Sequence, residues 1–229
     1  MHYETKRGWQ KAIRPYVEEI ADIVLMQDCV DVPTQHHEIV EVSWGKHEES
    51  WLKQNLQYLE GAAQWHERHR LENGHKKFQA IVKITDGYRK VIVVCHYRSQ
   101  IDEYEKWFKK DRQVFTLHGD TKDQSTVIKE AREADDCIFI IQAQMGAGFD
   151  AAEFSVVIFA SMSFRYVDHV QMKGRVKRIN NLHENKFIYM IGGRCDRAVY
   201  ATIQANKDFD VHEYLATQKG TARSPNKTH

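Results

Sequence analysis

The chain has 229 residues, 42% of them hydrophobic, which is enough to bury a substantial core in one domain with some length left for extensions. Its net charge of +1 excludes a protein that attracts nucleic acid through an overall basic field, so any site for a polyanion is expected to be a local patch. The four scattered cysteines form no CxxC pair and no apolar stretch approaches the ~18–20 residues of a membrane span, so we expect a soluble, intracellular protein, cytoplasmic or nuclear and not secreted.

The flanks of the chain differ in character from its centre. Residues 1–35 contain an aromatic-rich helix candidate and are predicted to form a linker or helical extension. The segment HHEIVEV (36–42) is a candidate for an extra strand, and residues 48–86 form a long, charge-rich helical stretch that is broken near Asn73-Gly74. Residues 216–229 have almost no apolar content, which predicts a disordered tail.

The centre of the chain alternates between short apolar runs and helical segments. Nearly continuous apolar runs suit strands that are covered on both faces, as in a parallel sheet. Between the runs, Ser99 followed by Asp102 and Thr121 followed by Gln124 resemble helix capping boxes. The alternation predicts an α/β fold, an open and mainly parallel sheet with helices on both faces, over a lobe spanning residues 36–215. The five predicted strands are VIVVC (91–95), VFTL (114–117), CIFII (137–141), SVVIFA (155–160) and KFIYMI (186–191).

A glycine-containing segment follows the third of these strands. In QMGAGFD, Gly146 and Gly148 permit tight turning and close approach to a ligand, and Asp150 lies just beyond them. Two glycines alone are better explained as an ordinary connection. The chain contains no G-x-x-x-x-G-K-[ST] sequence, and DEYE (102–105) lies in a predicted helix and not at a strand end. By itself, the chain therefore has no evident apparatus for holding ATP phosphates and Mg²⁺.

The stretch DHVQMKGRVKRIN (168–180) carries four cations. On a helix, the residues at i, i+3, i+4 and i+7 counted from Gln171 share one face, whereas Lys173 and Lys177 point to another side. Arginine suits planar contact with phosphate oxygens, and a glycine inside a helix suggests close approach by another surface. A solvated basic face is the alternative, and the geometry favours the phosphate interpretation only modestly. The residues that share the first face are Gln171, Gly174, Arg175 and Arg178.

Several segments together resemble one family. The Q-x-x-G-R-x-x-R pattern that starts at Gln171 resembles motif VI of the superfamily 2 helicases and nucleic-acid translocases, and QMGAGFDAAEFSVVIF resembles their motif V. VIVVCHYRSQIDEYEKWF resembles motif IV, and VFTLHGDTKDQ resembles the strand and turn between motifs IV and V. Their order and spacing agree across residues 88–192, and the nearest branch is the Snf-type, chromatin-remodeller-like group with its phage and bacterial relatives.

The resemblance implies the second, C-terminal RecA-like lobe of an ATP-dependent DNA helicase or translocase, a P-loop NTPase-like fold without a P-loop. ATP and Mg²⁺ would be held mainly by a partner first lobe, either in the same full-length chain or in a separate protein. Arg178 would be the arginine finger and Arg175 its partner on the phosphate. The residues implied on the ATP side are Gln171, Gly174, Gly148 and Asp150, and those implied to contact nucleic acid, DNA in preference to RNA, are Tyr97, Arg98, His118, Gly119 and Gln144.

Two other functions stay open. The chain could be a stand-alone module that binds nucleic acid or a helicase without hydrolysing ATP, or an unrelated Rossmann-like enzyme such as a sugar-nucleotide-binding lobe. We predict no metal site, because HERH (66–69) and His75 lack further ligands at suitable spacing and a solvated helix face explains them better. Cys195 is interpreted as structural, and Asp196 as a cap of the helix that follows the last predicted strand.

Overall fold

The structure, a computed structural model, describes residues 34–146, 148–177 and 184–221. The helix candidate predicted within residues 1–35 lies almost entirely outside these ranges, as do Arg178 and the last eight residues of the predicted tail. Among the described residues, no helix combines the length and the apolar character needed to cross a bilayer.

Six strands form a single sheet in the order β1-β6-β5-β2-β4-β3, and every neighbouring pair is parallel. All six carboxyl ends therefore lie along one edge of the sheet. The predicted parallel α/β architecture is confirmed. The strands are β1 (Gln35–Glu41), β2 (Lys90–Cys95), β3 (Val114–Leu117), β4 (Cys137–Gln142), β5 (Val156–Phe159) and β6 (Asn185–Ile191).

The burial of each strand follows its composition. The strands β2, β4, β5 and β6 are almost wholly buried, as their continuous apolar runs predict. The candidate strand at residues 36–42 forms as β1, which pairs with β6 from Gln35 opposite Asn185. Because β1 is an edge strand, most of its residues are exposed, and its mainly polar sequence suits that position.

Eight α-helices flank the sheet in the described ranges. The charge-rich stretch predicted over residues 48–86 is three helices, which are separated at residues 57–60 and at Asn73-Gly74. The helices are α1 (Lys46–Leu56), α2 (Gly61–Glu72), α3 (His75–Thr85), α4 (Arg98–Phe108), α5 (Gln124–Glu133), α6 (Tyr166–Val176), α7 (Arg194–Gln204) and α8 (Val211–Thr221).

The sheet has a hydrophobic core on each face. On one face, Val91 and Val93 of β2 pack with residues of α3 and α4, including Phe78 and Tyr104. On the other face, the alternate residues of β2 and β4 pack with α5, α6 and α7 and with Trp65 of α2. The period of two along each strand thus divides one apolar run between two cores, which is why these runs contain no polar positions.

Three local predictions are wrong. Neither predicted capping box forms: α4 has no side-chain cap, and α5 is capped by Asp123, whose carboxylate accepts the Thr126 backbone N–H at 3.0 Å. Thr121 instead accepts the backbone N–H of His118 at 3.0 Å, in the turn after β3. The predicted tail overlaps α8, because that helix continues to Thr221.

Candidate functional site

The loop that follows β4 packs closely against α6. It begins with a short 3₁₀ helix (Ala143–Met145), and Gly146 then meets Met172 of α6 so closely that an added Cβ would lie 3.2 Å from Met172 Cε and 3.3 Å from its backbone nitrogen. Gly148 has a φ of +88°, which favours glycine. At Gly146 the surface that approaches closely is therefore α6, whereas an added Cβ at Gly148 would meet nothing within 4 Å, and the close approach of a ligand to these glycines stays a prediction.

Arg175 joins α6 to the same loop. Its Nε donates to the carbonyl oxygen of Gly146 at 2.6 Å, and its Nη1 donates to the carbonyl oxygen of Phe149 at 3.0 Å. The backbone carbonyl of Arg175 accepts the N–H of Ala151 at 3.0 Å. These three hydrogen bonds hold the loop and the end of the helix together as one unit.

The helix ends earlier than the sequence pattern suggests. The last helical residue is Val176, and Lys177 has a non-helical ψ of 86°. Arg178 lies outside the described residues, so its place on the face of Gln171 and Arg175 stays a prediction. Gly174 is in open space, because an added Cβ would meet nothing within 4 Å, and no described surface makes the close approach that we inferred from this glycine.

Asp150 belongs to the loop of this unit, and Gln171 belongs to α6. Asp150 Oδ1 accepts the backbone N–H of Ala152 at 3.2 Å, and together with Gly148 the residue lines a groove between the loop and α5. Gln171 is partly exposed. The structure thus brings the Arg175 side chain of α6 to the loop that carries Gly148 and Asp150, and Gln171 and Gly174 lie on the same helix as Arg175.

The residues predicted to contact nucleic acid follow three adjacent strands. Because β2, β4 and β3 are neighbours, the loops after them lie side by side at the carboxyl edge of the sheet. The Gly119 backbone N–H donates to Gln142 Oε1 at 3.3 Å, which connects the loop after β3 with the end of β4. The residues brought together in this way, named here the carboxyl-edge track, are Tyr97, Arg98, His118, Gly119 and Gln144.

The members of this track differ in how accessible they are. Gln144 and Gly119 are exposed, and the Arg98 guanidinium is partly exposed with its Nη2 3.0 Å from Asp102 Oδ1. His118 is buried, and its Nδ1 accepts the backbone N–H of Asp120 at 3.2 Å. His118 therefore shapes the turn and offers little side-chain surface to a ligand.

The Tyr97 hydroxyl is hydrogen-bonded to a network of buried polar side chains. The Tyr97 hydroxyl lies 2.5 Å from His69 Nδ1, and His69 Nε2 lies 3.0 Å from Asp196 Oδ1. The Lys77 ammonium, which is fully buried, lies 2.6 Å from Asp196 Oδ2 and donates to the carbonyl oxygen of Ala160 at 2.8 Å. Burial opposes ionisation of Asp196, but Lys77 and His69 together hold the pKa of that carboxyl well below its usual range.

Sequence reasoning missed this network. The HERH segment was predicted to be a solvated helix face, but Arg68 and His69 are buried, and Asp196 is chiefly an ion-pair partner and not a helix cap. One signal was available, since Asn73 and Lys77 are spaced i, i+4, and their side chains meet at 2.6 Å. The described residues contain no cluster of three or more His, Cys, Asp or Glu side chains suited to a metal ion.

A pair of glycines allows this network to pack. The Cys195 backbone N–H donates to Glu72 Oε2 at 3.0 Å, directly beyond Gly192 and Gly193. A Cβ added at Gly193 would lie 2.5 Å from Glu72 Oε1, so only glycine fits there. Cys195 is buried and its thiol pKa is raised by burial, which agrees with the structural role predicted for it.

Comparisons with known proteins agree with this arrangement. Residues 76–180 match the family described as the helicase conserved C-terminal domain. The fold is similar to the C-terminal part of the Fun30 ATPase domain, with a TM-score of 0.55, 18% identity, and coverage of 76% of this chain and 60% of that one. It is also similar to a variant of S. cerevisiae Dbp5 bound to RNA and ADP BeF3, with a TM-score of 0.54, 13% identity, and coverage of 93% of this chain and 52% of that one.

No curated protein matches the sequence. The chain spans about half to three fifths of the length of the two solved structures above. Those structures establish the fold, and the family match covers the segment from α3 through the whole of α6. Residues 76–180 are therefore similar to the helicase conserved C-terminal domain, and the described residues have the RecA-like α/β fold of helicase C-terminal lobes.

Proposed function

We propose that this lobe is the second half of an ATP-dependent DNA helicase or translocase, in which it closes over ATP held by a first RecA-like lobe. The observation that carries the proposal is the unit formed by the loop after β4 and α6, joined by Arg175 through Gly146 and Phe149. This unit combines the segments that resemble motifs V and VI. In such a lobe, Arg178 is the arginine finger and contributes ~10³–10⁵ in rate by neutralising charge in the transition state.

The residues present fit the part of an ATP site that closes over nucleotide bound to a partner lobe. They do not form a complete ATP site. Gln171 offers an amide, Gly148 offers exposed backbone with left-handed geometry, and Arg175 offers a guanidinium of which Nε and Nη1 are already engaged. When bound, ATP with Mg²⁺ supplies the phosphoryl group for hydrolysis. The P-loop and the carboxylates that hold the metal must come from the partner lobe, because this sequence has no G-x-x-x-x-G-K-[ST] segment.

The arrangement around Arg175 changes the role proposed for it. With its Nε and one N–H of Nη1 bonded to loop carbonyls, Arg175 positions the loop beside the proposed phosphate site, and the second N–H of Nη1 and both N–H groups of Nη2 are left to reach a phosphate oxygen. Asp150, on the same loop, is proposed to meet the ribose or the partner lobe. Any movement of α6 on nucleotide binding would then be passed to this loop.

Nucleic acid is proposed to run over the carboxyl-edge track. Gly119 and Gln144 present polar groups from adjacent loops, and Arg98 adds a cation, which suits sequence-independent contact with backbone phosphates. The Dbp5 structure holds RNA, which supports nucleic acid as the ligand class. The proposal of DNA and of the Snf-type branch rests on the motif resemblance, with the similarity to the Fun30 ATPase domain in support.

The test is ATP hydrolysis with and without a P-loop lobe. We expect negligible turnover by this chain alone and DNA-stimulated turnover when it is joined to a first lobe that carries a P-loop. In the joined protein, Arg178→Ala should lower kcat by at least ~10³. The matched control is Arg89→Ala, because Arg89 is an exposed arginine at the start of β2, away from the site.

Two results would contradict the proposal. An unchanged kcat in Arg178→Ala would show that Arg178 is not the arginine finger. Salt-dependent binding of DNA with no stimulation of any P-loop partner would instead indicate a stand-alone binding module.

A further inference from the structure

A second polar groove lies on the other flank of α6, away from the loop that Arg175 holds. It runs between α6 and the end of α7, and β1 begins beside it. We call it the α6 groove. Its lining includes Lys173, Lys177, His169, Gly174, Gln35 and Asn206.

Both lysines of the α6 groove lack an acidic partner. Neither forms an ion pair or a side-chain hydrogen bond within the described ranges, although the other buried or partly buried lysines there do, namely Lys76, Lys77, Lys90 and Lys186. The Lys173 ammonium lies 5.3 Å from the centroid of the Phe187 ring, over an apolar wall. Its pKa is lowered by burial and then by the charge of Lys177.

The histidines beside these lysines add donors and no negative charge. His169 is 7% exposed, and its Nδ1 is buried without a hydrogen-bond partner among the described residues. Burial and the charges of Lys173 and His37 lower the pKa of His169 to about 4, so it is neutral at pH 7 and has one N–H to donate. The His37 ring stacks on Phe187, the ring that the Lys173 ammonium faces, with a centroid distance of 5.4 Å.

Two acidic side chains that are near lining residues in sequence have other partners. Asp168 of α6 is bound to Ser163 at 2.6 Å and lies 3.6 Å from the Arg165 guanidinium. Asp208, near the far end of the groove, accepts the Tyr166 backbone N–H at 2.7 Å. The groove thus holds two lysines, of which Lys173 has a pKa lowered by burial and by the charge of Lys177, and the amides of Gln35 and Asn206 line it as well.

We propose that the α6 groove binds a phosphate group, either of a nucleic-acid backbone or of a small polyphosphate. Keeping a half-buried lysine charged without a counter-ion costs free energy of desolvation, and a bound dianion would offset that cost. The amides of Gln35 and Asn206 and the N–H of His169 can complete the coordination of phosphate oxygens. Gly174 leaves the space beside the lysines free of side-chain atoms.

The test uses this chain alone, without ATP turnover, so its failure leaves the arginine-finger assignment untouched, and the reverse also holds. Inorganic tripolyphosphate and a short fluorescent single-stranded oligonucleotide are titrated at low salt into wild type and into Lys173→Gln/Lys177→Gln. Losing two charge-assisted contacts should weaken binding by more than ~10-fold. Lys53→Gln is the matched control, because Lys53 is exposed on α1 outside the groove, and it should change affinity less than ~2-fold.

A second variant keeps both lysines and adds a negative charge to the groove. Val170 lines the groove and is 44% exposed, so Val170→Glu places a carboxylate there without burying it. This variant should also weaken phosphate binding, while its thermal unfolding midpoint stays close to that of wild type.

The two ligands identify the source of the phosphate. A loss of tripolyphosphate affinity in the double variant indicates a small polyphosphate, and a loss confined to the oligonucleotide indicates a backbone phosphate. Affinity for both ligands that is unchanged in the double variant, or that falls equally in Lys53→Gln, would overturn the proposal.

Discussion

The Nε of Arg175 lies 2.6 Å from the carbonyl oxygen of Gly146. An arginine in the segment that resembles motif VI is thus hydrogen-bonded to the loop in the segment that resembles motif V. A second bond, from Nη1 to the carbonyl oxygen of Phe149, commits two of the five guanidinium N–H groups within the lobe. A change at the end of α6 is therefore expected to alter the loop that carries Gly148 and Asp150.

Arg175→Ala should destabilise the lobe by about 2–3 kcal/mol, because it removes two charge-assisted hydrogen bonds at a partly buried site. Arg175→Lys should recover little of this, since an ammonium group cannot reproduce the planar contact with two carbonyls. Urea unfolding followed by circular dichroism measures the effect, with the exposed Arg89→Ala as control. Equal unfolding midpoints for Arg175→Ala and Arg89→Ala would show that the bond to the loop contributes nothing.

Gly174→Ala should stabilise the isolated lobe by about 0.5–1 kcal/mol, because alanine favours a helix interior and the added Cβ meets nothing within 4 Å. Thermal unfolding of the lobe alone gives this value. In a protein joined to a P-loop lobe, the same change should lower ATPase activity if another surface closes on Gly174. A drop in the stability of the lobe by itself would contradict the open environment of this glycine.

Gly193→Ala should destabilise the lobe by more than about 2 kcal/mol, because its Cβ would lie against the buried Glu72 carboxylate, which is held by Arg68 and by the Cys195 N–H. Gly119→Ala is the matched control, since an added Cβ there meets nothing within 4 Å. Chemical denaturation compares the two variants. If both alanines behave alike, the packing of Glu72 on the glycine pair is not a constraint.

Stability should fall as the pH decreases from about 6.5 to 4, in part through His96. Burial, followed by the charges of His69 and His66, lowers the pKa of His96 to about 4, so the unfolded chain takes up a proton in this range before the folded chain does. Each unit of difference corresponds to about 1.4 kcal/mol. The contribution is complete above pH 6.5 and is lost as the pH approaches 4.

His96→Phe should reduce this dependence, because a phenyl ring can keep the contact with Phe164, at a centroid distance of 4.7 Å in wild type, without titrating. His169, whose pKa is also lowered to about 4, should preserve part of the slope. Unfolding free energies measured from pH 7 to pH 4 test this, with the exposed His47→Phe as control. A slope that is the same in His96→Phe and His47→Phe would exclude the contribution of His96.

Much of the fold could be read from sequence because the central strands are buried on both faces. The runs at 91–95 and 137–141 are apolar at every position, since alternate residues enter opposite cores, and β3 forms at the predicted residues 114–117. Helix ends were less predictable. Asp123 caps α5 in place of Thr121, and the choice between them depends on the turn made by His118.

Composition, strand periodicity and the order of the motifs were enough to establish a parallel α/β lobe and its family resemblance, because those properties depend on local patterns along the chain. The environment of each charged side chain depended on contacts distant in sequence. His69 and Asp196 are 127 positions apart in number and meet at 3.0 Å only because α2 packs against the start of α7. Likewise, Lys173 and Lys177 are an ordinary helical pair in sequence. Only the folded lobe places them in a groove where neither has an acidic partner among the described residues, since desolvation and charge pairing arise from packing and not from order along the chain.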